Sequence, residues 1–226
     1  KTKSGVYENL PIAIRSVGNA ITSSIKEVCS EPLSFGKYFF ITTFPPTMKT
    51  TLTSSRLTLT LASLKDLAFI HELQSFPQSA EFNTLGVPEN EEVTRKATAI
   101  WEEHHAKIPI EQYHFLISEQ DSPVGLIGLK LGAARYRRGE VWYTVHPKHW
   151  GKGIATEALN LMLDLGFDHL KLHRIQAGCA VGNLGSIKVL EKVGMIKEGR
   201  GRQILPLSTG WSDNYEYSIL ESDPRK

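Results

Sequence analysis

A short glycine-containing turn near the middle of the chain holds the residues best suited to chemistry. Gly151, Gly153 and Ala155 follow a predicted strand and open a predicted helix, with Lys152 and Ile154 between them. Small residues let the backbone approach a ligand closely, and the amides at a helix N-terminus attract anions. The turn therefore predicts a site for a pyrophosphate group.

Such a turn is a weak signal by itself, because many turns of this composition only join a strand to a helix. Two other nucleotide-binding motifs do not occur in the sequence. There is no Gly-x-x-x-x-Gly-Lys-Ser/Thr loop, and Gly153 is not followed by the third glycine of a dinucleotide-binding fingerprint. The sequence therefore does not predict a nucleoside triphosphate or dinucleotide site.

Two longer blocks, residues 148–159 and 183–195, extend the pattern. The first reads KHWGKGIATEAL and contains Trp150-x-x-Gly153-x-Ala155, and the second reads NLGSIKVLEKVGM. In this order and spacing they resemble the coenzyme A-binding region of the GNAT N-acetyltransferases, in particular the branch of the ribosomal-protein alanine N-terminal acetyltransferases. Trp at position 150 replaces the usual Arg or Gln, as is habitual in that branch. The resemblance covers about residues 52–222.

The resemblance implies acetyl-coenzyme A as the cosubstrate, with no metal. The loop from Trp150 to Ala155 would hold the pyrophosphate through its backbone amides. The main chain from Tyr143 to Val145 would pair with the pantetheine arm, because this strand splays from its neighbour in the family. Asn183 would hydrogen-bond the same arm, and Lys152 or Lys188 would meet phosphate charge.

The implied reaction is direct attack of an amine on the thioester in a ternary complex, without a covalent intermediate on Cys179 or any other residue. Many family members carry a tyrosine that protonates the leaving thiolate where Leu190 stands here. Ser186, one helical turn earlier, is our first candidate for this donor, and Tyr217 is the second. Glu140 is the candidate general base, although a solvated strand-end carboxylate is an equally common role.

The leading acceptor is the α-amine of a protein or peptide, with a ribosomal protein as one example. An α-amine with a reference pKa near 8 is about one-tenth neutral at pH 7, whereas lysine is neutral below about one part in a thousand. An α-amine therefore needs only a modest base. Two alternatives stay open: a small-molecule acetyltransferase for antibiotics or polyamines, and a non-catalytic acyl-coenzyme A sensor, which Leu190 makes conceivable.

Other conspicuous residues have ordinary explanations. His146 and His149 have the spacing of a metal-binding pair, but no third ligand accompanies them, so no metal site is predicted. Trp101 and Trp142 could line an acceptor cleft, although large aromatic residues usually belong to the core.

The elements that must position these residues follow from periodicity and capping signals. Residues 56–61 alternate as a strand, Ser63 to Asp66 form a capping box, and Pro88 with the acids after it opens a helix. In that helix Val93, Ala97, Ile100 and His104 lie on one stripe. The later predicted elements are three antiparallel strands (113–118, 124–131 and 140–146), a helix (152–167), a strand (173–180), a helix (184–193) and two strands.

This order predicts one α/β (α+β) domain of the GNAT type, with a mixed, largely antiparallel central sheet and helices on both faces. The predicted domain spans residues 48–226, which carry 21 Lys and Arg against 21 Asp and Glu. A neutral domain argues against a nucleic-acid partner. No run of eighteen apolar residues occurs, so no membrane span is predicted. Two distant cysteines, Cys29 and Cys179, fit a reducing cytoplasm.

Residues 1–47 read as an N-terminal extension that catalysis does not need, with an amphipathic helix at about residues 9–28. A partner-binding helix, a targeting extension, a disordered leader and an over-extended reading frame all stay open. The oligomeric state is also open, with a homodimer among the possible assemblies.

Overall fold

The structure is a computed structural model that describes residues 49–225. The predicted extension, its helix and its boundary at residue 48 lie outside the described residues. The strands are β1 (Thr51–Thr53), β2 (Leu57–Leu61), β3 (Gln112–Glu119), β4 (Ser122–Leu131), β5 (Arg138–Val145), β6 (Arg174–Ala180), β7 (Ile196–Leu207) and β8 (Gly210–Leu220). The helices are α1 (Leu67–Ser75), α2 (Pro77–Ala80), α3 (Glu91–Ala106), α4 (Ile154–Asp164) and α5 (Leu184–Lys192).

The eight strands form one sheet in the order β1-β2-β3-β4-β5-β6-β8-β7. Strands β5 and β6 run parallel, and the other neighbouring pairs are antiparallel. The prediction of a mixed, largely antiparallel sheet is thus confirmed. The sequence reading missed β1, because three residues are too few to show an alternating pattern.

Helices cover both faces of the sheet, as predicted. On one face α4 buries a set of apolar side chains against the strands: Ile154, Ala158, Leu159, Met162 and Leu163. On the other face α1 and α3 cover a second cluster, formed by Ala62, Ile70, Leu73, Leu116 and Leu126 with Phe69, Trp101 and Trp142 at its border. We call these the α4 face and the α3 face.

Local signals start and end the helices largely as expected. Ser63 and Asp66 form the predicted capping box ahead of α1. The side chain of Asn90, rather than Pro88, caps α3 by accepting from the Val93 amide at 3.2 Å. Gly194 adopts the left-handed conformation just after α5, with φ 93°.

The predicted stripe of α3 is wrong. Val93 and Ile100 are 45% and 48% exposed, whereas Thr94 and Thr98 are buried. The threonine hydroxyls have partners in this position, because Thr94 Oγ1 bonds His71 Nδ1 and Thr98 Oγ1 donates to the Thr94 carbonyl, both at 2.9 Å. Satisfied polar groups can be buried at little cost, and a pattern of apolar residues alone does not reveal this. Among residues 49–225, no helix is both long and apolar enough to cross a membrane.

Beneath α3, the imidazole of His114 is only 6% exposed and stacks on Trp101 with ring centroids 4.6 Å apart. Within residues 49–225, neither of its ring nitrogens has a hydrogen-bond partner. Burial, reinforced by His105 and His104, lowers the pKa of His114 to about 3. The folded protein therefore holds this histidine neutral at all physiological pH values.

This burial predicts acid sensitivity. Because the pKa of His114 is depressed in the folded state, this histidine binds a proton below pH 6.5 in the unfolded chain but not in the folded protein. The free energy of unfolding should therefore fall by about 1.4 kcal/mol per pH unit below pH 6.5, or about 2 kcal/mol at pH 5. Urea unfolding at pH 7 and pH 5 measures this loss.

His114→Phe should remove most of the pH dependence. His173→Gln should not, because His173 is an exposed histidine with a side chain 54% accessible to solvent. An unchanged acid slope in His114→Phe would show that other groups cause the acid sensitivity.

Candidate active site

The site begins where two parallel strands separate. Strands β5 and β6 pair at Arg138–Arg174, Gly139–Ile175 and Glu140–Gln176. Beyond Glu140, β5 continues beside β4 up to Val145, while β6 continues beside β8. The edge of β5 from Val141 to Val145 therefore faces an opening in the sheet, as the resemblance implied, and its backbone groups can accept an extended ligand as an added strand.

The glycine turn closes the far end of this opening. Gly151 and Gly153 have φ values of 75° and 80°, a backbone conformation that side chains with a Cβ atom rarely adopt. Ile154 begins α4 and is 1% exposed, so its side chain anchors the turn in the core and only its backbone can face a ligand. The first-turn amides of α4 thus form an N-terminus suited to a pyrophosphate.

Trp150 fastens the turn to β5. Its indole Nε1 donates to the Val145 carbonyl at 2.6 Å, and the residue is 52% exposed. The bond fixes the path of the loop between the end of β5 and Gly151. It also engages one lone pair of the Val145 carbonyl, which belongs to the backbone segment expected to meet the pantetheine arm.

A set of residues that the sequence reading missed holds the turn from the other side. We call Ser54, Arg56 and Glu157 the clamp. Ser54 Oγ donates to Glu157 Oε1 at 2.6 Å, and Arg56 Nε and Nη2 donate to Glu157 Oε2 at 2.9 and 2.5 Å. Arg56 also reaches the Lys152 carbonyl at 3.4 Å, and its Nη2 lies 3.8 Å from the position of a Cβ atom on Gly153.

The clamp has two consequences for an anionic ligand. It ties the start of β2 to the turn, which holds the left-handed glycine conformations in place. It also pairs the carboxylate of Glu157, which stands in the first turn of α4, with a guanidinium. An unpaired carboxylate there would repel a pyrophosphate, so the pairing keeps the N-terminus of α4 positive.

Breaking the clamp should weaken cofactor binding. We expect Arg56→Gln to raise the KM for acetyl-coenzyme A about tenfold while kcat at saturation changes little, because the reacting atoms lie elsewhere. Steady-state kinetics with varied acetyl-coenzyme A measures this. Arg95→Gln is the matched control, since Arg95 pairs with Glu91 on the exposed surface of α3 and such pairs contribute little. An unaltered KM in Arg56→Gln would mean that the turn keeps its shape without the clamp.

Helix α5 forms the opposite wall of the opening. Asn183 caps it, with Oδ1 accepting from the Ser186 amide at 3.0 Å, so its side-chain NH2 is the group that can meet a pantetheine carbonyl. The Tyr143 hydroxyl from β5 lies 2.7 Å from Ser186 Oγ and 3.2 Å from the Ser186 carbonyl oxygen. Burial raises the pKa of Tyr143, so the phenol stays protonated.

The other candidate groups near α5 are more deeply buried. Tyr217 is 1% exposed and donates to Glu191 Oε1 at 3.3 Å, and burial raises its pKa to about 12. Burial also raises the pKa of the Cys179 thiol, which disfavours the thiolate that a nucleophile would need. Leu190, at the position of the usual tyrosine, is completely buried in the core.

Glu140 occupies the vertex of the opening, as the last residue of β5 that pairs with β6. Its side chain is exposed. Because side chains alternate along a strand, Glu140 shares the α3 face with Trp142, whereas Tyr143 points to α5 on the α4 face. The structure thus brings Tyr143 and Ser186 together and places Glu140 on the other side of the same strand.

The remaining predicted residues fall into simpler positions. Lys152 and Lys188 are exposed, next to the turn and on α5 respectively, where they can approach phosphate groups. His146 Nδ1 accepts from the Lys148 amide at 3.2 Å and so caps the turn after β5. Across residues 49–225, no group of three or more His, Cys, Asp or Glu side chains is placed to hold a metal ion.

Comparison with known proteins agrees with this geometry. A family model described as an acetyltransferase (GNAT) domain matches residues 56–196. The probable N-acetyltransferase YjcK of Bacillus subtilis is 40% identical over 116 residues, which cover 50% of this chain and 64% of YjcK. A GNAT-family acetyltransferase structure from Bacillus anthracis is 30% identical with a TM-score of 0.67, covering 76% of this chain and 99% of that one.

Two further solved structures differ in the acceptor that their names state. Spermidine N-acetyltransferase from Vibrio cholerae, in complex with CoA and spermine, is 26% identical with a TM-score of 0.67 over 75% of this chain and 98% of that one. Ribosomal-protein-S5-alanine acetyltransferase from Vibrio fischeri is 22% identical with a TM-score of 0.68, over 77% of this chain and 98% of that one, and shares the fold.

The family model covers more than half of the chain, and its span includes the opened β5 edge, the glycine turn and α5. These parts fit a ligand with an extended arm and a pyrophosphate. The chain belongs to the GNAT family and is an acetyl-coenzyme A-dependent N-acetyltransferase.

Proposed function

We propose that the chain acetylates the α-amine of a protein or peptide by direct attack on acetyl-coenzyme A in a ternary complex. In this proposal the turn from Trp150 to Ala155 binds the pyrophosphate and the edge of β5 binds the pantetheine arm. Asn183 contacts the same arm. Lys152 and Lys188 contact the phosphates.

The proposed catalytic roles follow the two faces of β5. Glu140 accepts the amine proton on the α3 face, and Ser186 donates to the departing sulfur on the α4 face. Tyr217 is the reserve donor, but its hydroxyl is buried and already directed to Glu191. Cofactor and acceptor would then meet at the opening from opposite sides of the sheet, which suits a direct attack in a ternary complex.

The exposure of Glu140 is the observation that carries the choice of acceptor. An α-amine with a reference pKa near 8 is already about one-tenth neutral at pH 7, so it needs only a nearby proton acceptor, which an exposed carboxylate can supply. A primary alkylamine near 10.4 is almost wholly protonated at pH 7 and needs a stronger base or a higher pH. The site therefore favours an α-amine.

One observation favours a polyamine as the second candidate. Residues 63–106, which form α1 to α3, contain eight Asp and Glu against three Lys and Arg. This acidic segment covers the face that Glu140 shares, and it would attract a cationic acceptor. The negative electrostatic field of this segment would attract a basic peptide N-terminus as well as a polyamine. It therefore does not by itself displace the peptide α-amine as the preferred acceptor.

A competition experiment tests the proposal. Thiol release from acetyl-coenzyme A would be measured for the full chain with peptides bearing free N-termini, the same peptides N-terminally blocked but containing lysine, spermidine, and small amines. We expect the free peptides to give the highest kcat/KM, with basic peptides ahead of acidic ones. Faster turnover of spermidine would show that the acceptor is a polyamine and not a peptide. A lack of thiol release that depends on an amine would favour the acyl-coenzyme A sensor.

The proposal also includes a cytoplasmic location. The sequence has two cysteines, and their wide separation does not resemble the disulfide framework of a secreted protein. The free, buried thiol of Cys179 is in keeping with a reducing compartment.

A further inference from the structure

The side chain of Tyr143 has no part in the roles above, which use only the backbone of this residue. It nevertheless places a hydroxyl 2.7 Å from Ser186 Oγ, bridging from β5 to α5. We propose that Tyr143 is a positioning residue that orients the Ser186 hydroxyl toward the leaving sulfur of acetyl-coenzyme A. The inference rests on the donor role proposed for Ser186.

The hydrogen-bonding groups at this contact favour an arrangement in which the Tyr143 hydroxyl donates to Ser186 Oγ. Each hydroxyl has one hydrogen to donate. The Ser186 carbonyl, 3.2 Å from the Tyr143 oxygen, lies inside α5, where carbonyls accept from the amide four residues later. Ser186 Oγ is the closer acceptor and has no such helical partner. The thiol of Cys179 also lies within hydrogen-bonding reach of the Ser186 side chain. When Tyr143 donates to Ser186 Oγ, the Ser186 hydrogen turns away from the phenol, toward that thiol or toward a ligand in the opening.

The direction of the Ser186 hydroxyl hydrogen matters, because this hydrogen must reach the sulfur of the bound thioester. The pyrophosphate site is at the Val145 end of the opened edge, so a pantetheine arm lying along β5 runs from Val145 toward Val141. In this pose the arm occupies the edge from Val145 to Tyr143, so its sulfur end lies at or just past Tyr143. At that level the wall facing β5 is the first turn of α5, which carries Ser186.

The environment keeps Tyr143 in the donor state. Burial raises the pKa of Tyr143, so the phenol does not ionise near neutral pH and does not itself supply a proton. A fixed neutral donor restricts the rotation of the Ser186 hydroxyl without competing for the sulfur. This is the pre-organisation expected of a group that acts through another.

The reaction balances without ionising either hydroxyl. The amine nitrogen forms a bond to the acetyl carbon, and the C–S bond breaks with its electron pair leaving on sulfur. Ser186 stabilises that charge by a hydrogen bond. The amine proton passes to Glu140 and then to solvent, and solvent returns one proton to the thiolate.

A double-mutant cycle tests the inference with Tyr143→Phe, Ser186→Ala and the double variant. We expect each single change to lower kcat about tenfold, the size of one lost hydrogen bond, with the KM for acetyl-coenzyme A within twofold of wild type. The double variant should be no slower than Ser186→Ala, since Tyr143 acts only through Ser186. Both losses should shrink with the selenoester analogue of acetyl-coenzyme A, whose selenolate leaves more readily.

Tyr113→Phe is the matched control, because Tyr113 is a buried tyrosine on β3 in the same core. It should keep the wild-type kcat, and the affinity of each variant for coenzyme A verifies that the site is folded. Wild-type kcat in Tyr143→Phe alongside a slow Ser186→Ala would overturn this inference and leave the proposed function standing. Multiplying losses in the double variant would also overturn it. Wild-type kcat in Ser186→Ala would instead remove the donor role on which it rests.

Discussion

Replacing Gly153 with valine should raise the KM for acetyl-coenzyme A by about 100-fold or more. Gly153 holds φ at 80° immediately before α4, and a β-branched side chain is a strong outlier there. The backbone must leave this conformation or pay about 1–3 kcal/mol of strain. Either response moves the amides proposed to bind the pyrophosphate. Losing two charge-assisted hydrogen bonds at about 1.5–3 kcal/mol each accounts for the size of the effect. Steady-state kinetics and coenzyme A titration would measure it.

The variant Gly86→Val is the control that distinguishes the effect of backbone strain on stability from a loss of cofactor binding. Gly86 has φ 69° in the segment before α3, and a Cβ atom there would meet nothing within 4 Å. The substitution should destabilise the protein by a similar amount without changing the KM for acetyl-coenzyme A. Equal losses of cofactor affinity in both variants would show that general destabilisation, and not the turn, sets the affinity.

The turn and the two blocks around it could be predicted from sequence because they are local. Glycine spacing, a helix start and the asparagine cap of α5 are all encoded within a few neighbouring residues, and the structure places them at one opening. The antiparallel pairing of β3 with β4 and of β4 with β5 followed from short turns, which leave few choices of pairing. Local signals were thus enough to predict the elements that are proposed to bind the cofactor.

The clamp could not be predicted in the same way. Arg56 and Glu157 lie 101 positions apart, so no short-range pattern relates them. One sequence signal was available, because a glutamate in the first turn of a helix that receives an anion calls for a compensating cation. Two exposed lysines near the turn obscured which cation that would be.

The hydrogen bond between Tyr143 and Ser186 could not be predicted from the sequence for a different reason. Alternation along β5 does put Tyr143 on the face opposite Glu140, but only the splay of β5 from β6 brings its hydroxyl to α5. The error on α3 is similar, since Thr94 and Thr98 could be buried only because His71 and the helix backbone supply partners. Tertiary hydrogen bonds overrode the apolar pattern in both cases.

The separation of the two faces gives the last prediction. Glu140→Gln should lower kcat/KM for a peptide α-amine at pH 7 by about 100-fold or more, the usual range for loss of a general base. The loss should shrink as the pH rises, because the variant relies on the neutral amine, which is about one-tenth of the total at pH 7 and predominates above pH 8. A profile of kcat/KM from pH 6 to pH 9.5 at saturating acetyl-coenzyme A would show up to about tenfold recovery.

Glu111→Gln provides the comparison, since Glu111 is an exposed carboxylate just before β3, among the residues lining a cavity of about 700 Å³ that includes none of the proposed site residues. It should keep the wild-type rate and profile, which shows that removing one surface charge does not slow the enzyme. The KM for acetyl-coenzyme A should be unchanged in both variants, because neither residue belongs to the proposed cofactor site. A Glu140→Gln enzyme with wild-type kcat/KM at pH 7 would mean that water or another residue takes the amine proton. In that case Glu140 would be a solvated strand-end residue, and the preference for an α-amine would lose its main support.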